Sequence, residues 1–506
     1  MSTAGVEAGG PAAPGAAGGR PPGGDDLKRS ATRGAAAVVV SRLAVQVLTV
    51  AVTFLVARLL SPYDYAVITC SAVFVILADT LALAGIGPAL VQKAHLDEGD
   101  LEEGFTLSLG LSVVFTAALF ASSRPLAVYF GYPELTAVVR LCSLQLLLSP
   151  FRTVPVALLE RRMQLGRHSA IFTASMIVQS AVNVGLALAG FGYWSLAVSS
   201  CVARVLDTAA YAWLSGWVPR LRLPGASGRG LLRFGLNVTG SALLWQAYTQ
   251  ADFAVAAKVA GPRSLGYYGL AFQIISMPSS RIAVSFSQAA YAVFCRLQDR
   301  HDQVRDWYLR LVALMGAIAL PVYAGMALVA DDGVRVVLGE KWAPAVVPLQ
   351  LLCVPGYALF LMLTLHPVMN ALGRSDLPAK YNAVFTLTMP AAFLLLGRRY
   401  GLVGICSAWA VCYPVISLAL VRLSRPVLGF GPAELARAHV PACASAAVMV
   451  AAVLAVQRAL PGADRAPLRL ALAVGIGAVV YAGAIWVTAR GTVIRDFRVL
   501  LKTLRG

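Results

Sequence analysis

The feature that most constrains this chain is a succession of apolar stretches, each about 20 residues long, separated by short basic loops. A helix rises about 1.5 Å per residue, so about 20 residues cross the roughly 30 Å hydrocarbon core of a bilayer. In that core every backbone N–H and C=O must be satisfied within the segment, which selects helices. We read fourteen spans: 35–60, 65–90, 104–123, 134–158, 169–189, 193–216, 234–256, 265–292, 308–330, 345–371, 380–396, 401–421, 438–457 and 467–488. Only 13% of the residues are charged, against about 25% in soluble domains, and the mean hydropathy is +0.73. That is too little charge to cover a water-facing surface.

A short turn occurs twice. Ala57-Arg58-Leu59-Leu60-Ser61-Pro62-Tyr63-Asp64-Tyr65-Ala66 shares its pattern with Ala257-Lys258-Val259-Ala260-Gly261-Pro262-Arg263-Ser264-Leu265-Gly266. At the same offset Ser41 matches Ser241 and Gln46 matches Gln246. Polar matches inside the preceding apolar segments favour duplication over chance. Duplicated membrane halves mark transporters, with the substrate site between the halves. The expected fold class is an all-α polytopic membrane protein of about 14 transmembrane helices, in two pseudo-symmetric six-helix lobes plus two C-terminal helices. The expected divisions are a disordered cytoplasmic tail (1–33), an N-terminal lobe (34–216), a cytoplasmic linker (217–233), a C-terminal lobe (234–423), a last helix pair (424–488) and a basic cytoplasmic tail (489–506). The first 33 residues are rich in Gly, Ala and Pro and hold no compact apolar run, so they read as a tail and not as a signal peptide.

The net charge of +18 comes from 42 Lys and Arg against 24 Asp and Glu. The basic residues concentrate in alternate loops, among them Lys93, Arg161, Arg162, Arg167, Arg220, Arg222 and Arg229. The richer loops belong on the cytoplasmic side of the membrane, which puts both termini inside. Basic loops of this kind suit an anionic membrane surface and not nucleic acid.

Loops between spans are short, and neither a nucleotide-binding motif nor a large outer loop is present. This argues against a membrane-embedded polymerase. The paired carboxylates Asp331-Asp332 read as a solvated helix end. The eight cysteines lack metal or redox spacing and read as apolar packing residues. Of five histidines only His366 lies well inside a span.

Charges inside a bilayer cost several kcal/mol and normally face a cavity or a partner. Here they concentrate in the first eight spans, as Arg42, Asp79, Arg140, Arg152, Arg204, Asp207, Asp252 and Arg281. Arg42, Gln46, Thr49 and Thr53 share one helical face. Asn237, Ser241, Tyr248 and Asp252 share another, with Gln246 and Gln250 beside it. Arg152 and Arg281 stand close to prolines that break helices. Arg204 and Asp207, three apart, have the spacing to neutralise each other. A surplus of guanidinium groups suits an anionic substrate. The candidate substrate-binding residues are Arg42, Gln46, Arg140, Arg152, Arg204, Gln246, Gln250 and Arg281. Asp79 and Asp252, one in each half, are candidates for binding a coupling ion. No catalytic residue, metal or cofactor is expected.

The run 57–62, with Asp79, Gly85-Ile86-Gly87 and Ala89-Leu90-Val91-Gln92, resembles the start of bacterial polysaccharide exporters of the oligosaccharide flippase type. Asp252, Gly266-Tyr267-Tyr268 and Pro278 resemble the matching region of their second half. The resemblance is strongest over about residues 35–300. That family belongs with the lipid II flippase and the multidrug and toxin extrusion transporters. The resemblance implies two lobes around a V-shaped cavity and export of an undecaprenyl-pyrophosphate-linked glycan by alternating access, driven by an ion gradient. The implied partners are the lipid-linked anionic glycan, membrane lipids, H⁺ or Na⁺, and a glycan polymerase with chain-length machinery. The alternative is a multidrug extrusion-type antiporter of the same fold, which would need acidic cavity residues.

Overall fold

A computed structural model of the chain describes residues 46–489 apart from 163, 299 and 463. Arg42, Ser41 and both expected tails lie outside the described residues, except for Ala489. The described chain is helical throughout its ordered elements. The first helices are α1 (Gln46–Leu59), α2 (Pro62–Leu83), α3 (Ile86–Gln92) and α4 (Glu98–Phe130). α5 (Leu135–Leu144), a 3₁₀ turn (Gln145–Leu148), α6 (Ser149–Arg161), α7 (Leu165–Leu188) and α8 (Tyr193–Ser215) complete the first half. Then come α9 (Ala226–Val259), α10 (Pro262–Pro278), a π turn (Ser279–Ala283), α11 (Val284–Leu297) and α12 (His301–Leu328). After α13 (Ala330–Gly333) and two short turns follow α14 (Val346–Ala371), α15 (Asp376–Leu428), α16 (Pro432–Ala459) and α17 (Ala466–Thr488).

The repeated sequence makes the same corner twice. Ser61 caps α2: its hydroxyl accepts from the Asp64 N–H at 3.2 Å, while the Asp64 carboxylate accepts from the Ser61 N–H at 2.8 Å. Pro62 opens the helix at a position where no N–H is needed. In the second copy Gly261 turns at φ 82° and Pro262 opens α10. Asp64 also accepts from the Tyr193 N–H at 3.0 Å and so fixes the start of α8.

Three expected spans are interrupted. The 65–90 span breaks at Ala84 and Gly85, both left-handed (φ 43° and 62°), into α2 and α3. The 134–158 span contains the 3₁₀ turn just before Pro150, and 265–292 contains the π turn just after Pro278. The spans 380–396 and 401–421 form one traced helix, α15, whose two legs meet at Gly401 (φ 59°, ψ −137°). The segment read as a linker ends early, because α9 already starts at Ala226. Among the described residues nine helical stretches, with α15 counted once, are long and apolar enough to cross a bilayer. Helices α8 and α9, which carry intramembrane charges and amides, fall outside that set.

Helix α2 is the axis of the packing. It lies against α4 and α5 on one side and against α9 and α10 on the other. Glycines permit the second contact at both ends of α2. A Cβ at Gly266 would lie 1.8 Å from the Pro62 carbonyl oxygen, and one at Gly235 would lie 2.0 Å from that of Ala84. Both obstacles are backbone, so neither can rotate away. Gly266→Ala should therefore separate α2 from α10 and cost about 1–3 kcal/mol, the usual cost of overpacking. The check is thermal unfolding of the purified protein, where an unchanged midpoint would rule out this close approach.

The last two helices are tied in by charge as well as by packing. α16 packs on α12 and α17. Asp332 is not a solvated helix end: it is buried in an ion pair with Arg469 of α17. Its neighbour Asp331 is exposed and binds Arg335 at 2.8 Å. The Glu340 and Asp331 carboxylates beside Arg335 hold its guanidinium above the ordinary value.

Candidate functional site

Contacts divide the chain into Met1–Val50 and Ala51–Gly506. Gln46 is half-buried in the first unit. The other described candidates belong to the second, where they fall into two separate clusters.

The first cluster joins α2, α6 and α8. Asp79 accepts from the Ser149 hydroxyl at 2.7 Å and lies 3.6 Å from an Arg204 guanidinium nitrogen. Arg204 is thus paired with Asp79 and not with its neighbour in sequence, Asp207. Asp207 keeps a buried carboxylate oxygen without a hydrogen bond. The Arg152 guanidinium stands over the Tyr211 ring, 5.3 Å from its centroid, and its Nε has no hydrogen-bond partner. The Tyr211 hydroxyl meets Nδ1 of His168 at 3.2 Å. Among the described residues no carboxylate lies within ion-pair distance of Arg152. Arg140 sits apart on an exposed face, where it donates to the Ser123 hydroxyl at 3.0 Å and covers the Phe120 ring. Arg281 falls on the π turn, and its side chain lies outside the described residues.

The second cluster is built by α9, α10, α14 and α15. Gln246 and Gln250 line a cavity of about 280 Å³ whose walls include Trp245, Tyr248, Trp409 and Tyr413. Behind this wall Asp252 is fully buried. One carboxylate oxygen accepts from Trp409 Nε1 at 3.0 Å and from the Tyr268 hydroxyl, and the other accepts from the Phe253 N–H at 2.8 Å. The two coupling-ion candidates thus differ in surroundings: Asp79 is paired with an arginine, and the partners of Asp252 are neutral donors.

Sequence reasoning missed the contacts that hold the two halves together at either end of α2. At the Gly85 end, Glu103 of α4 is buried and accepts from the N–H groups of Gly225 (3.0 Å) and Gly228 (2.5 Å) at the start of α9. Asp100 accepts from Lys93 at 2.5 Å and binds the Ser227 hydroxyl. The acidic run Asp97 to Glu103 in an otherwise basic chain was the available signal. At the Pro62 end, Trp342 Nε1 donates to the Ala57 carbonyl at 2.8 Å and Lys341 to the Arg58 carbonyl at 2.6 Å.

An all-helical bundle that keeps ion pairs, amides and a carboxylate inside long apolar helices defines a polytopic transport-type membrane protein. Its fold is similar to that of the lipid II flippase MurJ in an inward closed conformation, with a TM-score of 0.75, 12% identity, and coverage of 90% of this chain and 99% of that one. It is also similar to an inward-facing multidrug resistance MATE family transporter, with a TM-score of 0.58, 17% identity and coverage of 78% and 99%. Among sequences, the chain is 25% identical to the lipopolysaccharide biosynthesis protein WzxC of Escherichia coli (strain K12), over 74% of this chain and 76% of that protein. It is 23% identical to the teichuronic acid biosynthesis protein TuaB of Bacillus subtilis (strain 168), over 68% and 71%. It is 24% identical to the succinoglycan biosynthesis transport protein ExoT of Rhizobium meliloti (strain 1021), over 63% and 65%. Residues 55–347 match the polysaccharide biosynthesis protein family, and the chain belongs to it.

Proposed function

We propose that this protein is a flippase that carries a lipid-linked oligosaccharide across the bacterial cytoplasmic membrane by alternating access. The observation that carries the reading is the union of a polysaccharide biosynthesis family match with a flippase-type bundle. The partly buried arginines of the first half supply the chemistry for an anionic headgroup. Arg152 is the leading contact, because among the described residues no carboxylate lies within ion-pair distance of its guanidinium and its Nε has no hydrogen-bond partner. A guanidinium offers phosphate oxygens a planar, forked set of donors. Alternating access requires the contacts at the two ends of α2 to break in turn. The strap of Glu103, Asp100 and Lys93 serves as one gate, and the Pro62–Gly266 crossing with Trp342 serves as the other.

The loop charges put the first gate and both termini on the cytoplasmic side. The multidrug alternative is weaker, since the matched sequence family is one of polysaccharide biosynthesis proteins and the likeness to the multidrug transporter is one of fold. Reconstitution in liposomes tests the reading. Expected is movement of a fluorescent prenyl-pyrophosphate-linked glycan between leaflets, with cysteines placed at 61 and 263 labelled from outside and one at 225 from inside. Failure to move any lipid-linked glycan, or labelling of position 225 from outside, overturns it.

A further inference from the structure

The cavity beside Gln246 and Gln250 has a composition that the headgroup reading does not use. The geometry points to a subsite for an uncharged sugar ring of the glycan, formed by α9, α10, α14 and α15 and separate from the arginines of the first half. This rests on the flippase reading and assigns the glycan to a part of the protein.

The walls are aromatic and fixed in place. Trp409 donates its Nε1 to Asp252 at 3.0 Å and to the Tyr268 hydroxyl at 2.9 Å, which locks the plane of its ring. Tyr413 and Phe272 pack against it at 5.3 and 6.0 Å between centroids. Across the cavity, Trp245 and Tyr248 meet edge to face at 5.3 Å. Aromatic faces carry partial negative charge and attract C–H groups, which a pyranose presents on its apolar faces.

The edge of such a ring needs donors and acceptors in alternation, and an amide side chain carries both. The Gln250 amide makes no hydrogen bond to the protein among the described residues, and Gln246 makes only a long contact of 3.4 Å to Thr249. Thr249 and Ser276 donate to backbone carbonyls and keep their hydroxyl oxygens as acceptors.

Among the described residues the lining contains no ionised side chain. A pyrophosphate or an organic cation would therefore meet no counter-charge, and a prenyl tail would leave the amides unsatisfied. At about 280 Å³ the cavity lies just below the usual range for small-molecule sites, roughly 300–1,000 Å³. That size suits one ring of a glycan and not an extended chain.

The test compares three probes on detergent-purified full-length protein: a short prenyl pyrophosphate, the same molecule bearing one neutral hexose, and a panel of free methyl hexosides. The added hexose should tighten binding at least tenfold for one or more sugars, measured by calorimetry. Gln250→Ala and Trp245→Ala, both at partly exposed positions, should lose that gain and keep the affinity for the sugar-free pyrophosphate. The same gain in both variants, or no gain with any hexose, overturns the subsite. If the sugar-free pyrophosphate does not bind the native protein, the headgroup reading fails on its own. In that case the methyl hexosides decide the subsite. Tryptophan fluorescence that they change in the native protein and not in Gln250→Ala supports it, and no change with any of them overturns it.

Discussion

Arg152→Ala should nearly abolish transport of a lipid-linked glycan while leaving the amount of folded protein close to native. The guanidinium is held by the face of Tyr211, and among the described residues no carboxylate lies within ion-pair distance of it, so its removal breaks no ion pair. The loss falls on the substrate instead. A hydrogen bond to a charged group contributes about 1.5–3 kcal/mol, which corresponds to roughly one to two orders of magnitude in binding. Arg152→Lys should restore part of the activity, since an ammonium keeps the charge and lacks the planar fork. Leaflet-to-leaflet transport in liposomes gives the activity, and size-exclusion chromatography of the extracted protein gives the folded amount. Native transport by Arg152→Ala would remove this residue from the substrate path. Arg204 should behave differently. It is already paired with Asp79, so Arg204→Ala leaves a partly buried carboxylate unpaired and should lower the folded amount as well.

The sequence made the helices legible because hydropathy sets them directly, and it made the duplicated corner legible because Pro62 and Pro262 act locally. The breaks were partly legible. Pro150 and Pro278 announced the turns beside Arg152 and Arg281, whereas the Ala84–Gly85 break depends on a backbone contact with Gly235 that no local pattern encodes. The charges themselves were found, but not their partners. Arg204 is three residues from Asp207 and yet pairs with Asp79, because α2 and α8 meet in space and the guanidinium reaches across. Nothing local to Asp252 reports that α10 and α15 bring Tyr268 and Trp409 to it. The single candidate cavity likewise separates into a basic cluster in the first half and an amide and aromatic cavity in the second. That division depends on helix packing, which composition does not report.

Asp252→Asn should yield a folded protein whose transport no longer depends on an ion gradient. A carboxylate buried this completely is costly unless its lone pairs are met. Here Trp409, Tyr268 and the Phe253 N–H all donate to it. A coupling role would require this carboxylate to exchange between charged and protonated forms, which would change the charge behind the cavity wall. Trp409 donates to this carboxylate and lines the cavity, so such a change would reach the packing of α9 against α15 through its ring. Asparagine is nearly the same size and cannot change charge. Its amide N–H₂ would face at least one donor, at a cost of about 1–3 kcal/mol, so the thermal midpoint should fall without loss of the fold. Asp79→Asn is the contrasting case. Asp79 neutralises Arg204 and accepts from Ser149, so its replacement should reduce the folded amount and leave gradient dependence in the protein that remains. Both variants are compared in liposomes with and without an imposed ion gradient. Unchanged gradient dependence in Asp252→Asn would eliminate a coupling role for this carboxylate and leave it a packing element of α9, α10 and α15.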